Sequence, residues 1–136
     1  MRPKRLEIRS GCPVELTVSV IGGVWKPTIL YHLLVKHRLR FMELARAIPD
    51  ATQRMLALQL RELEADGIVV RHVFPEVPPR VEYELSTMGR TLGAVLRDLR
   101  VWGLSYRDQR ALAQVESFAD CPAARAGAPK PPPPDT

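Results

Sequence analysis

Arg54 and Arg61 stand seven residues apart in the stretch TQRMLALQLRELEADG. At about 100° per residue in a helix, that spacing returns both side chains to nearly the same face. Ala57 and Leu58 lie between them on that face. Leu56, Leu60 and Leu63, with Gln59, fall on the opposite one. An arginine fork matches O6 and N7 of guanine, and small apolar side chains can touch a thymine methyl. Thr52 is a good N-cap for this helix. With Gln53 it stands where a helix N-terminus meets a phosphate or a base edge. The same residues also describe a solvated helix face charged by Arg61, Glu62 and Glu64, so the surrounding elements must decide.

Those elements can be read from the pattern. Pro13, after Cys12, opens a first helix with Leu16, Val20 and Ile21 at helical spacing, and Gly22-Gly23 ends it. Pro27 opens a second helix, with Ile29, Leu30, Leu33 and Leu34 as its apolar stripe. VKHRL at 35–39 reads as a basic turn. A third helix is predicted from about Arg40 to Ile48, stopped by Pro49-Asp50. The fourth runs from about Gln53 to Ala65, with Gly67 at its C-terminal cap. Residues 68–74 (IVVRHVF) and 81–85 (VEYEL) then read as antiparallel strands around a stiff PEVPP loop. Ser86 caps one long last helix, extending to about residue 118. The order predicts an α+β, mostly α fold. It is a winged helix-turn-helix with a two-stranded β-hairpin wing and a long C-terminal dimerisation helix. Residues 1–11 read as a flexible basic arm, 12–118 as the folded domain, and 119–136 as a disordered Pro-rich tail.

Further candidates surround the fourth helix. Arg80 leaves the stiff loop at or near the wing tip, which suits minor-groove insertion or a phosphate contact; a structural hairpin with a solvated arginine is the alternative. Lys26 and the cluster Lys36, His37, Arg38 and Arg40 are candidate phosphate contacts, or simply solubilising charges. Leu92, Leu96, Leu99, Trp102 and Tyr106 repeat at steps of three and four. With Leu16 and Val20 they form a dimer seam, or else pack within one chain. Cys12, at a helix N-terminus near basic residues, is either a reactive sensor thiol or a small packing residue. Cys121 falls in the tail, where a bridge to Cys12 between subunits stays open.

Bulk properties bound the function. The chain has 136 residues and a formal charge of +5. Residues 1–54 hold ten basic against four acidic residues, a net of +6, while the rest holds ten against eleven, a net of −1. That asymmetry points the first half toward a polyanion. Two cysteines are too few for a disulfide scaffold and suit a reducing cytoplasm. The apolar stretch after the basic start is interrupted by Pro13, Glu15, Gly22, Gly23 and Lys26, so neither a signal peptide nor a membrane span is predicted. His32, His37 and His72 lack ligand spacing, and there is no phosphate-cradling glycine loop. No enzyme, metal or cofactor is expected. The expected partners are duplex DNA and a second copy of the chain. A small-molecule or oxidant inducer remains open, as does a winged helix that binds proteins without reading DNA.

Four stretches also resemble the HxlR-type family of transcriptional regulators: CPVELTVSVIGGVWKPTILYHLL at 12–34, FMELARAI at 41–48, TQRMLALQLRELEADGIVVR at 52–71 and PEVPPRVEYELSTMGRTL at 75–92. The resemblance implies a homodimer joined through its first and last helices, bound to an inverted-repeat operator. It implies a recognition helix from Thr52 to Asp66, a wing around Arg80, and a family cysteine at Cys12, a thiol sensor in some members. Val24 stands where members usually carry a basic residue, and Ala57 and Leu58 where they commonly carry polar ones. An operator with more apolar base contact is therefore expected.

Overall fold

The computed structural model describes residues 10–111. Helix α1 (Pro13–Ile21) is short and carries proline in its first turn. Helix α2 (Lys26–Lys36) buries Ile29, Leu30 and Leu33 as the stripe requires. His37 then takes φ 67° and turns the chain sharply into a strand, β1 (Arg38–Arg40). The basic turn expected at 35–39 is thus partly a strand. Only Leu39 of its three residues is buried, between two exposed arginines. So short a run carries too little period-2 signal to be recognised.

Helix α3 (Phe41–Ala47) begins with the Glu43 carboxylate accepting from the Arg40 backbone N–H at 2.9 Å. Helix α4 (Gln53–Ala65) follows after a five-residue turn and buries Leu56, Leu60 and Leu63. Its C-terminus closes through Gly67, at φ 77°, with Ile68 N–H donating to Leu63 O at 2.9 Å and Gly67 N–H to Glu64 O at 3.0 Å. These paired bonds satisfy carbonyls the helix leaves open, and the left-handed residue between them favours glycine.

Strands β2 (Val69–Phe74) and β3 (Arg80–Leu85) form the expected antiparallel hairpin, with Val69 opposite Leu85 and Phe74 opposite Arg80. The sheet has three strands rather than two, in the order β1-β3-β2, because β1 pairs with β3 through Leu39 opposite Tyr83. The wing is therefore stitched back to the α2–α3 connection.

The last helix is also broken. Ser86 caps a single turn, α5 (Thr87–Arg90), by accepting from Gly89 N–H at 2.9 Å. The long helix α6 (Gly93–Arg110) starts only afterwards. Thr91 and Leu92 donate to residues three back, at 3.1 Å each, so the backbone tightens there. Gly89 and Gly93, poor helix formers, flank the break. A Cβ on Gly89 would stand 2.2 Å from the Ile68 carbonyl oxygen, so close docking of α5 on the residue before β2 demands glycine. The continuation expected to residue 118 falls, past Ala111, outside the described residues, as do the tail, Cys121 and nearly all of the basic arm. One aliphatic core joins all the helices except α5 to the sheet, with Leu30, Leu44, Leu56, Leu63, Leu85 and Leu96 among its members.

Candidate nucleic-acid interface

Helix α4 presents its outer face as the spacing predicts. Thr52 Oγ1 accepts from Met55 N–H at 3.1 Å and satisfies one open donor of the first turn. Gln53, Arg54, Leu58 and Arg61 are exposed and Ala57 is half-buried. Met55, not anticipated, is exposed beside them. Neither Arg54 nor Arg61 pairs with another described residue. Their guanidinium donors are directed to solvent, on a helix whose underside is fixed by three buried leucines.

Lys26 corrects the sequence reading. It was expected at a phosphate but is 2% exposed, and its ammonium pairs with the Glu62 carboxylate of α4. A charge this deep needs a partner, and Glu62 is the one the fold supplies. Nothing in WKP at 25–27 marks that lysine as internal. Val24, two residues earlier, is exposed.

The wing differs from expectation as well. Arg80 begins β3 just past the loop, the second of the two places expected, while Val77 in the loop is fully exposed. The Arg80 guanidinium lies 4.1 Å from the Phe74 ring centroid. It also pairs with Glu76 at 3.3 Å and Glu82 at 3.1 Å. Arg38 reaches Glu84 at 3.3 Å and Glu82 at 3.8 Å. His72 Nε2 stands 2.8 Å from Glu84 Oε1. That hydrogen bond, helped by the nearby Arg38 charge, holds the Glu84 carboxyl below its ordinary range despite partial burial. Two of the expected phosphate contacts are thus occupied by carboxylates of β3 and the loop before it. The outward alternation of Glu82 and Glu84 was visible in VEYEL; their arginine partners were not. Lys36 and Arg40 remain exposed. So does Arg71 on β2, unanticipated and unpaired with any other described residue.

The expected dimer residues divide. Leu96 is 3% exposed and belongs to the protomer core, and Leu92 packs against that core. Their period matched Leu99, but α6 turns a different face to α2. Leu16, Leu99, Trp102 and Tyr106 are exposed, while Val20 is half-buried. Trp102 and Tyr106 stack, with centroids 5.0 Å apart and planes at 11°. Val14 and Val18 extend the exposed apolar character of α1. Cys12 is an exposed free thiol, so the packing alternative fails. His32 is buried, and desolvation, followed by the nearby Lys36 charge, lowers its pKa. Among the described residues no group of three or more His, Cys, Asp or Glu could hold a metal ion. No single helix there is long and apolar enough to cross a membrane.

Helices α3 and α4 joined by a tight turn, an outward polar face on α4, and a hairpin directly after it define a winged helix-turn-helix protein. Residues 20–111 match the model of the HxlR-like helix-turn-helix family, and the chain belongs to that family. It is a transcriptional regulator of the HxlR type. It is 54% identical over 100 residues to YybR of Bacillus subtilis, an uncharacterized HTH-type transcriptional regulator, covering 74% of this chain and 79% of that one. Among solved structures it resembles the redox regulator HypR in its reduced form, with TM-score 0.70 and 52% identity over 74% of this chain and 98% of that one. It also resembles diamide-treated YodB of B. subtilis, with TM-score 0.57 and 37% identity over 74% of this chain and 96% of that one.

Proposed function

We propose that this chain is a sequence-specific DNA-binding regulator that grips an inverted-repeat operator as a homodimer in the cytoplasm. The observation carrying the proposal is α4: Arg54 and Arg61 exposed and unpaired with other described residues, over buried Leu56, Leu60 and Leu63. Arg54, Ala57, Leu58 and Arg61 contact base edges in the major groove. Thr52, Gln53, Lys36 and Arg40 meet phosphates and set register. A lone α4 spans one half-site, so a two-fold operator needs a second copy. The exposed Leu16, Leu99, Trp102 and Tyr106 are the surface that copy covers. Footprinting on the promoter regions flanking the gene tests the reading. It predicts a protected inverted repeat whose affinity falls steeply with salt. Protection of no discrete site would overturn it and favour a protein-binding module instead. Light scattering of wild type and Trp102→Asp, the latter expected as a monomer, tests the seam.

Exposed Cys12 at the start of α1 supports a second layer, a thiol switch, in keeping with resemblance to proteins named as redox regulators. Its thiol adds to an electrophile such as a quinone, forming an S–C bond while the thiol proton passes to the quinone oxygen. Quinone treatment then changes operator affinity in the wild type and leaves Cys12→Ser unaffected. Unchanged wild-type affinity would remove this layer and leave the DNA-binding proposal intact.

A further inference from the structure

Lys26 is among the most deeply buried side chains of the described chain, in the company of Leu56, Leu60 and Leu63. Its placement is unusual on electrostatic grounds. It opens α2, where the helix dipole opposes a cation. An ammonium there is tolerated only with a compensating anion. Glu62 provides it from α4, and its side chain is 23% exposed. Glu62 adjoins Arg61, one of the outward arginines. A second approach lies beside the first. Gln59, one helical turn before Glu62, puts its Oε1 3.8 Å from where a Cβ on Gly23 would stand. The elbow between α1 and α2 therefore runs close to the flank of α4 at Gly23 and pairs with it through Lys26. The elbow itself is tight: a Cβ on Gly22 would stand 2.2 Å from the Val18 carbonyl oxygen.

An apolar underside holds two elements together but fixes rotation and sliding less sharply than a directional contact, because its attraction is non-directional. A charge pair with a deeply buried member favours one geometry, since misplacement strands the buried charge. We infer that Lys26 is a positioning residue for DNA recognition: through Glu62 it locks the rotation and axial setting of α4, and so the aim of Arg54 and Arg61, without touching DNA. The inference rests on the proposal that α4 reads an operator.

The experiment uses the full chain, with the footprinted operator duplex and a scrambled duplex of equal length. Affinity for both is measured across a salt series, well below every variant's melting temperature. Lys26→Met is expected to lose roughly tenfold of operator affinity, comparable to a mismatched base pair. Affinity for the scrambled duplex and the salt slope stay unchanged. Lys26→Arg, which keeps the charge, retains most of the preference. Glu62→Gln loses preference in the same direction. It also carries the test if Lys26→Met fails to fold. A salt slope reduced by about one in Lys26→Met, with equal loss on both duplexes, would mean that Lys26 reaches a phosphate and would overturn the inference. An unaltered operator preference in both Lys26→Met and Glu62→Gln would overturn it too. A wild-type protein with no operator preference would instead remove the underlying reading before any variant is made.

Discussion

Helix α4 and the three-stranded sheet that carries the wing both hold arginines, yet they dispose of most of them in opposite ways. On α4 the charges point outward without partners among the described residues, because the helix is held from beneath by leucines. On the sheet, Arg38 of β1 and Arg80 of β3 pair with Glu76, Glu82 and Glu84, and His72 adds to the network, while Arg71 of β2 has no partner among the described residues. The difference follows from architecture. A helix buried on one stripe leaves its opposite face free of structural duty. A three-stranded sheet with an exposed face gains from cross-strand pairs of opposite charge. One element thus leaves its arginines open, and the other satisfies two of its three internally. Under the proposed function, base recognition falls to α4 and the wing acts mainly as a brace.

The largest expected effect comes from breaking the leucine support. Leu60→Ala should lower the unfolding free energy by about 2–5 kcal/mol, as deletion of a fully buried leucine does. Val73→Ala on the exposed side of the wing should stay within about 0.5 kcal/mol. Urea denaturation of both variants checks this. Similar losses would mean that the two regions share their support, and the contrast would fail.

Next in size is the contrast on DNA. Arg54→Ala and Arg61→Ala should each cost about 1–3 kcal/mol of discrimination between operator and altered sequences. Arg80→Ala should change affinity by less than about threefold, because its guanidinium is already paired. Fluorescence anisotropy on matched and single-substituted duplexes measures both. A larger loss from Arg80 than from Arg61 would reverse the assignment.

Much of α4 was legible in advance, because period, cap and terminator agree: Thr52, the leucine stripe and Gly67 each mark the same helix. The hairpin was legible for a similar reason, since β-branched residues flank a proline loop. The remainder depended on contacts between distant residues. Strand β1 exists because β3 offers Leu39 a partner in Tyr83, which no three-residue window contains. Lys26 turns inward because Glu62, on another helix, meets it. Arg80 read as an open arginine at the wing tip or just past it until the fold set it over Phe74. Leu96 and Leu99 share a periodic pattern, and only the docking of α6 on the core separates the buried one from the exposed one.

A smaller effect would sharpen the comparison by converting the wing toward the α4 type. Replacing both carboxylates, Glu82→Gln with Glu84→Gln, releases Arg38 and removes two negative charges near the duplex. Affinity for any sequence should rise a fewfold, and the salt slope should steepen, with operator discrimination unchanged. A salt titration on operator and scrambled duplexes reads it out. No change in slope would mean that Arg38 stays out of reach of DNA even when unpaired.

The smallest effects are in pH, where the regions again separate. His32 is buried with its pKa lowered from 6.5, so the folded state favours the neutral ring more than the unfolded chain does. Its contribution is complete above pH 6.5 and shrinks as pH falls from there toward the folded-state value. Glu84, lowered from 4.5, contributes fully above that pH and loses its share as pH falls through its folded value. Stability should therefore decline in two stages on acidification, first from the helical core and then from the wing. His32→Gln should flatten the first stage and spare the second, while Glu84→Gln does the reverse. Because Glu84 is partly solvated, its stage is the shallower one. Chemical denaturation at intervals between pH 7.5 and 3 resolves the stages, and a first stage that survives His32→Gln would assign that limb to another group.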